Sequence, residues 1–164
     1  YYQKNGLTVC QNGCQMNYKK EAGAEDTFVQ FFMSEISGQA YFQYREKALQ
    51  QVAHMCWELP FITYICKENR YCGGRQIRLS FEDSDFIAVI RQEASELQIL
   101  EMLSVGKEKT GMMDVNQKDC FSKAVQILMH QTGCMTAKVC VQPTVMCNDM
   151  EPDQKGFYFN LTLG

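Results

Sequence analysis

Nine cysteines in 164 residues constrain this chain more than any other feature. They stand at Cys10, Cys14, Cys56, Cys66, Cys72, Cys120, Cys134, Cys140 and Cys147, in three groups separated by long cysteine-free stretches. Structural zinc sites need closely spaced pairs, C-x2-4-C, completed by a second pair or by two nearby histidines. No C-x-x-C occurs, and His54 and His130 stand at ligand spacing from no cysteine pair, so the sequence predicts no metal site. Such cysteine density is rare in reduced cytosol. It predicts an oxidised, extracellular chain with all nine cysteines as disulfide candidates, about four bridges and one cysteine over. The odd cysteine is either an idle thiol or a covalent link to a second copy. The chain opens Tyr1-Tyr2-Gln3-Lys4, without a basic and then apolar start, which predicts a mature or excised chain.

The length fits one domain over 1–164. Apolar residues make up 46%, enough for a packed core. A net charge of −3 speaks against nucleic acid as a partner. No apolar run reaches the roughly 18 residues of a spanning helix, so a membrane would be reached only through an anchor outside these residues.

Periodicity supplies the elements. Leu7–Cys10 and Cys14–Tyr18 around Gln11-Asn12-Gly13 read as a hairpin. Phe28, Phe32, Ile36 and Ala40 recur at four-residue spacing and predict a helix, with a strand as the competing reading. A firmer helical stripe runs from Tyr41 through Leu49 to Met55 and Cys56, stopped by Pro60. Phe61–Cys66 reads as a buried strand or short helix, and Gly73-Gly74 as a turn. Ile77, Leu79 and Phe81 alternate with Gln76, Arg78 and Ser80, the signature of a half-buried strand. From Asp83 to Gly106 a broad apolar set (Phe86, Ile87, Val89, Ile90, Leu97, Leu100, Leu103) predicts a long helix. Phe121, Ala124, Val125, Leu128 and Met129 predict another, ended by Gly133. Ala137, Val139 and Val141 predict a strand, as do Phe157, Phe159, Leu161 and Leu163. The fold class expected is α+β, about three helices packed on one face of a small antiparallel sheet and cross-linked by disulfides.

A search for chemistry returns little. There is no G-x-S-x-G, no phosphate-binding glycine motif and no histidine placed beside a nucleophile, since His54 and Cys56, two apart, would leave a helix on different faces. Glu82-Asp83-Asp85 reads as charge at a helix N-terminus. Asp149, Glu151 and Asp153 alternate like calcium ligands but lack the glycine and the closing glutamate of a calcium loop. No cofactor is implied. Asn160-Leu161-Thr162 is a glycosylation sequon at Asn160. Apolar groups outside the predicted core, Met112, Met113 and Tyr71, are candidate contact residues. The expectation is therefore a non-catalytic secreted or cell-surface glycoprotein ectodomain that binds another protein. The alternative is an extracellular carrier of an apolar small molecule, in a pocket lined by methionine and phenylalanine.

Overall fold

The computed structural model describes residues 14–20, 30–50, 56–105 and 115–141, with the side chains of 14, 15, 115–118 and 141 excepted. In chain order the elements are β1 (Cys14–Lys19), β2 (Phe31–Glu35), α1 (Gly38–Leu49), α2 (Leu59–Tyr71), β3 (Arg75–Phe81), β4 (Ser84–Glu93), β5 (Glu96–Ser104), α3 (Val115–Thr132) and β6 (Thr136–Val141). The strands form one six-stranded sheet ordered β1-β6-β5-β4-β3-β2. Every neighbouring pair is antiparallel except β5 and β6, which run parallel. The sheet is therefore mixed. A parallel pair needs a crossover, and α3 supplies it.

The helices cover both faces, in place of the single covered face expected. Phe121, Ala124, Val125, Leu128 and Met129 of α3 pack on Ile77, Leu79, Phe86, Ile90, Leu97, Ile99 and Val139. On the other face Tyr41 and Leu49 of α1 and Ile62 and Cys66 of α2 pack on Ile87, Val89 and Leu103. Each fully buried Leu or Ile contributes about 1.5–3 kcal/mol. Ser37 caps α1, its hydroxyl accepting the Ala40 N–H at 3.1 Å. Pro60, read from sequence as a stop, instead lies in the first turn of α2, where proline costs no hydrogen bond.

Two other expectations are corrected. Residues 31–35 form an edge strand, not a helix; Phe31–Glu35 runs antiparallel to Phe81–Ile77. Residues 84–104 form the β4–β5 hairpin, not a helix. Phe86 to Ile90 are all buried because helices lie on both sides, and a strand buried on both faces loses its alternation. The Cys14–Tyr18 segment pairs with β6, Gln15 facing Cys140. Its expected hairpin partner, 7–10, and the strand expected over 157–163 lie outside the described residues.

The disulfide framework is corrected as well. Among the cysteines whose side chains are described, Cys66, Cys72, Cys120, Cys134 and Cys140 are free thiols, and no bridge joins any two of them. Cys66 is 6% exposed and Cys134 0%, so both serve as small apolar core residues.

Candidate functional site

The parallel pair is the irregular part of the sheet. β5 and β6 pair from Glu96↔Thr136 through Ile99↔Val139, and their pairing ends there. β5 runs on to Ser104 and β6 to Val141. On its other side β5 stays hydrogen-bonded to β4 as far as Ser104, opposite Phe86. β6 likewise stays paired with β1 as far as Val141, opposite Cys14. Past Ile99 and Val139 each strand is held by its outer neighbour, with no further β5–β6 register among the described residues.

A β-bulge sits at the parting point. Val89 faces Glu101 and Ile90 faces Ile99, which leaves Leu100 as the additional residue on β5. A bulge bends its strand and re-aims the side chains after it. Ile99 and Met102 belong to the α3 side of the sheet, whereas Leu100 packs on the α1–α2 side. Glu101 is aimed to that same side, toward Arg45 of α1, whose Nε lies 3.4 and 3.3 Å from its two carboxylate oxygens. Arg45 is 0% exposed and Glu101 1%. Removing two charges from water costs several kcal/mol before their attraction repays it, so the pair's contribution is to fix position rather than to add stability. It ties α1 to the bulge.

On β6, Cys140 stands one residue past the last parallel pair. Burial pushes the Cys140 thiol up. Burial likewise pushes Cys66 up to about 11, against a smaller opposing effect of the Arg70 charge. Near neutral pH both are protonated thiols, poor nucleophiles and poor metal ligands. Among the described residues no group of three or more His, Cys, Asp or Glu side chains is placed to hold a metal ion.

The residues singled out from sequence are scattered. Tyr71 ends α2 and is 93% exposed. Cys72 is exposed beyond it, while Cys66 is buried one α2 turn and more away. Cys120 lies in α3 and Cys14 at the start of β1. Cys10, Met112, Met113, Cys147 and Asn160 lie outside the described residues. Sequence reasoning passed over Glu101, Arg45 and Leu100. The one signal available was a glutamate flanked by Ile99-Leu100 and Met102-Leu103, a charge in the midst of an apolar run.

No protein-family model matches the sequence, and no curated protein matches it. Among solved structures it is similar to a GCN5-related N-acetyltransferase from Kribbella flavida, with a TM-score of 0.43 and 12% identity over 89% of this chain. This chain spans 33% of the length of that one. The reading as a disulfide-linked, non-catalytic glycoprotein ectodomain is corrected: its cysteine framework is absent among the cysteines whose side chains are described.

Proposed function

We propose that this chain is an acyltransferase whose acyl-thioester carrier lies in the gap between β5 and β6. The observation that carries the reading is the end of the parallel register at Ile99 and Val139, beside the Leu100 bulge. Ligands of sheets with parallel strands collect outside the carboxyl ends of those strands, where the chain crosses over. An opening between two strands presents main-chain edges, which suit an extended chain carrying amides of its own. Helix α3 starts after β5, so its N-terminus lies toward the same end of the sheet, and such a terminus favours phosphate. A phosphopantetheine arm has these properties together. It is extended, holds two amides, begins at a phosphate and ends in the sulfur that carries the acyl group.

Transfer in such a gap needs little covalent work from the protein. The acceptor's nucleophile adds to the thioester carbonyl, the new bond forms as the carbon–sulfur bond breaks, and the acceptor's proton ends on the departing thiol. This chain's contribution is positioning, which is worth several kcal/mol of barrier when the reacting atoms are held in line. Arg45 and Glu101 hold the bulge and so set the width of the opening at its head.

Calorimetric titration with coenzyme A, joined to amide hydrogen exchange, tests the reading. Saturable binding is expected, with new protection at Met102–Ser104, and acetyl-coenzyme A should release free thiol when amine acceptors are supplied. Absence of binding together with unchanged exchange at Met102–Ser104 overturns it. Protection by a short extended peptide but not by coenzyme A would make the gap a peptide site and overturn the acyltransferase reading.

A further inference from the structure

At the opposite end of the sheet, we propose a second site, one that binds a small carboxylate through Arg75 and Arg91. The chain has five arginines, all within the described residues. Three meet carboxylates: Arg45 meets Glu101, Arg70 meets Glu35, and Arg78 meets Asp85 at 2.7 Å. Arg75 and Arg91 meet none among the described residues, and those two line the same concavity of about 230 Å³. Gln92 and Gly73 stand at its rim, and Ile90 and Leu97, both buried, give it an apolar wall.

The donors are arranged for a ligand from outside. Arg91 gives one Nη2 contact to the Asn69 side-chain oxygen at 3.4 Å, while its Nε is buried with no hydrogen-bond partner. A guanidinium presents a fork of donors that matches a carboxylate in two parallel bonds. The carboxylates of the adjoining hairpin are engaged elsewhere: Glu93 accepts from Gln98 at 2.8 Å and Glu96 from Lys138 at 2.9 Å.

Charge bookkeeping selects the class of ligand. α2 ends at Tyr71, just before Gly73, and α3 ends at Thr132, which also lines the concavity. Each helix C-terminus carries about half a negative charge. Against two guanidinium charges, that leaves roughly one positive charge unmatched. One carboxylate neutralises it, with its short apolar remainder against Ile90 and Leu97. This site is independent of the gap between β5 and β6 and does not rest on the acyltransferase reading.

Titration with propionate, followed at the arginine Nε–H signals by nitrogen-15 NMR, tests the inference. Saturable shifts are expected at Arg75 and Arg91, with Arg45 and Arg78 unmoved. Arg75→Gln, which breaks no hydrogen bond of the described structure, should weaken binding roughly tenfold or more. Gln92→Glu places a competing carboxylate at the rim and should abolish binding, so the inference stays testable should Arg75→Gln fold poorly. Shifts that never saturate, shifts spread equally over all five arginines, or an affinity unchanged in Gln92→Glu overturn it.

Discussion

Gly74 is the residue whose smallest change should be felt most. It does not sit at a positive φ, in contrast to Gly73 at 77°, so backbone freedom is not what the position requires. Space is. A Cβ there would stand 2.3 Å from the side-chain oxygen of Asn69, 2.4 Å from its nitrogen and 2.5 Å from its Cγ. Real carbon contacts lie more than an ångström further out, so Asn69 must leave. That side chain is short, 3% exposed and engaged twice: it donates to the Ile90 carbonyl at 3.3 Å and accepts from Arg91 at 3.4 Å. Losing these two bonds, one buried and one partly buried, costs about 1–3 kcal/mol each. Removing a glycine's freedom from the unfolded chain returns about 0.4–1 kcal/mol. Gly74→Ala should therefore destabilise the fold by about 1–5 kcal/mol, read as a fall in urea midpoint at unchanged slope. In an Asn69→Ala background the clash is gone, and the same substitution should be neutral or stabilising by about 0.5 kcal/mol. A cost below about 0.5 kcal/mol in the natural background, or an equal cost in both backgrounds, would refute the steric argument.

Three more perturbations probe the packing around the gap and the thiols. Glu101→Leu takes one carboxylate from the buried Arg45, which keeps Glu46 at 3.6 Å, and should cost up to about 3–5 kcal/mol, whereas adding Arg45→Met should recover most of it; a double variant no better than the sum of the two singles contradicts the reading of the pair as a positioning device. Cys66 has its thiol raised by burial to about 11, above its unfolded value, so its contribution is complete below about pH 9 and is lost as pH rises toward 11. Cys66→Ala should flatten the decline of the urea midpoint across that window, and an unflattened decline would place its cause elsewhere. Alkylation of the native protein should label the exposed Cys72 and spare the buried Cys66 and Cys134, with all three labelled after unfolding and without reductant; a requirement for reductant would restore the disulfide reading.

What was legible in the sequence divides along a physical line. β3 could be read because Ile77, Leu79 and Phe81 face α3 while Arg78 and Ser80 reach Asp85 at the sheet's other face, a real difference between two sides. α3 could be read because it is half solvated, so that its stripe from Phe121 to Met129 keeps a helical period. The β4–β5 hairpin could not, for three reasons that act together. Its central strand is buried on both faces, which erases the two-residue period. Its turns carry no glycine: Glu82 at φ 50° and Ala94 at φ 52° occupy the left-handed region that normally announces itself with Gly or Asn. Past the turn, the Leu100 bulge shifts the phase of β5, so Leu97, Ile99 and Met102 fall at spacings that mimic a helix.

The candidate site was hidden by the same bulge, because a gap between strands is set by where pairing stops, and pairing is not a property of either strand alone. Its head depends on Arg45 and Glu101, 56 residues apart in the chain. The cysteines misled for a different reason. Their number measures composition, whereas a bridge needs two Cβ atoms about 4 Å apart. In this sheet Cys66 packs with α1 and α2 on one face, while Cys120 and Cys134 pack with α3 on the other. The sheet itself stands between them. The bulge at Leu100 and the separation of these thiols both follow from how the strands pair and are covered rather than from residue type.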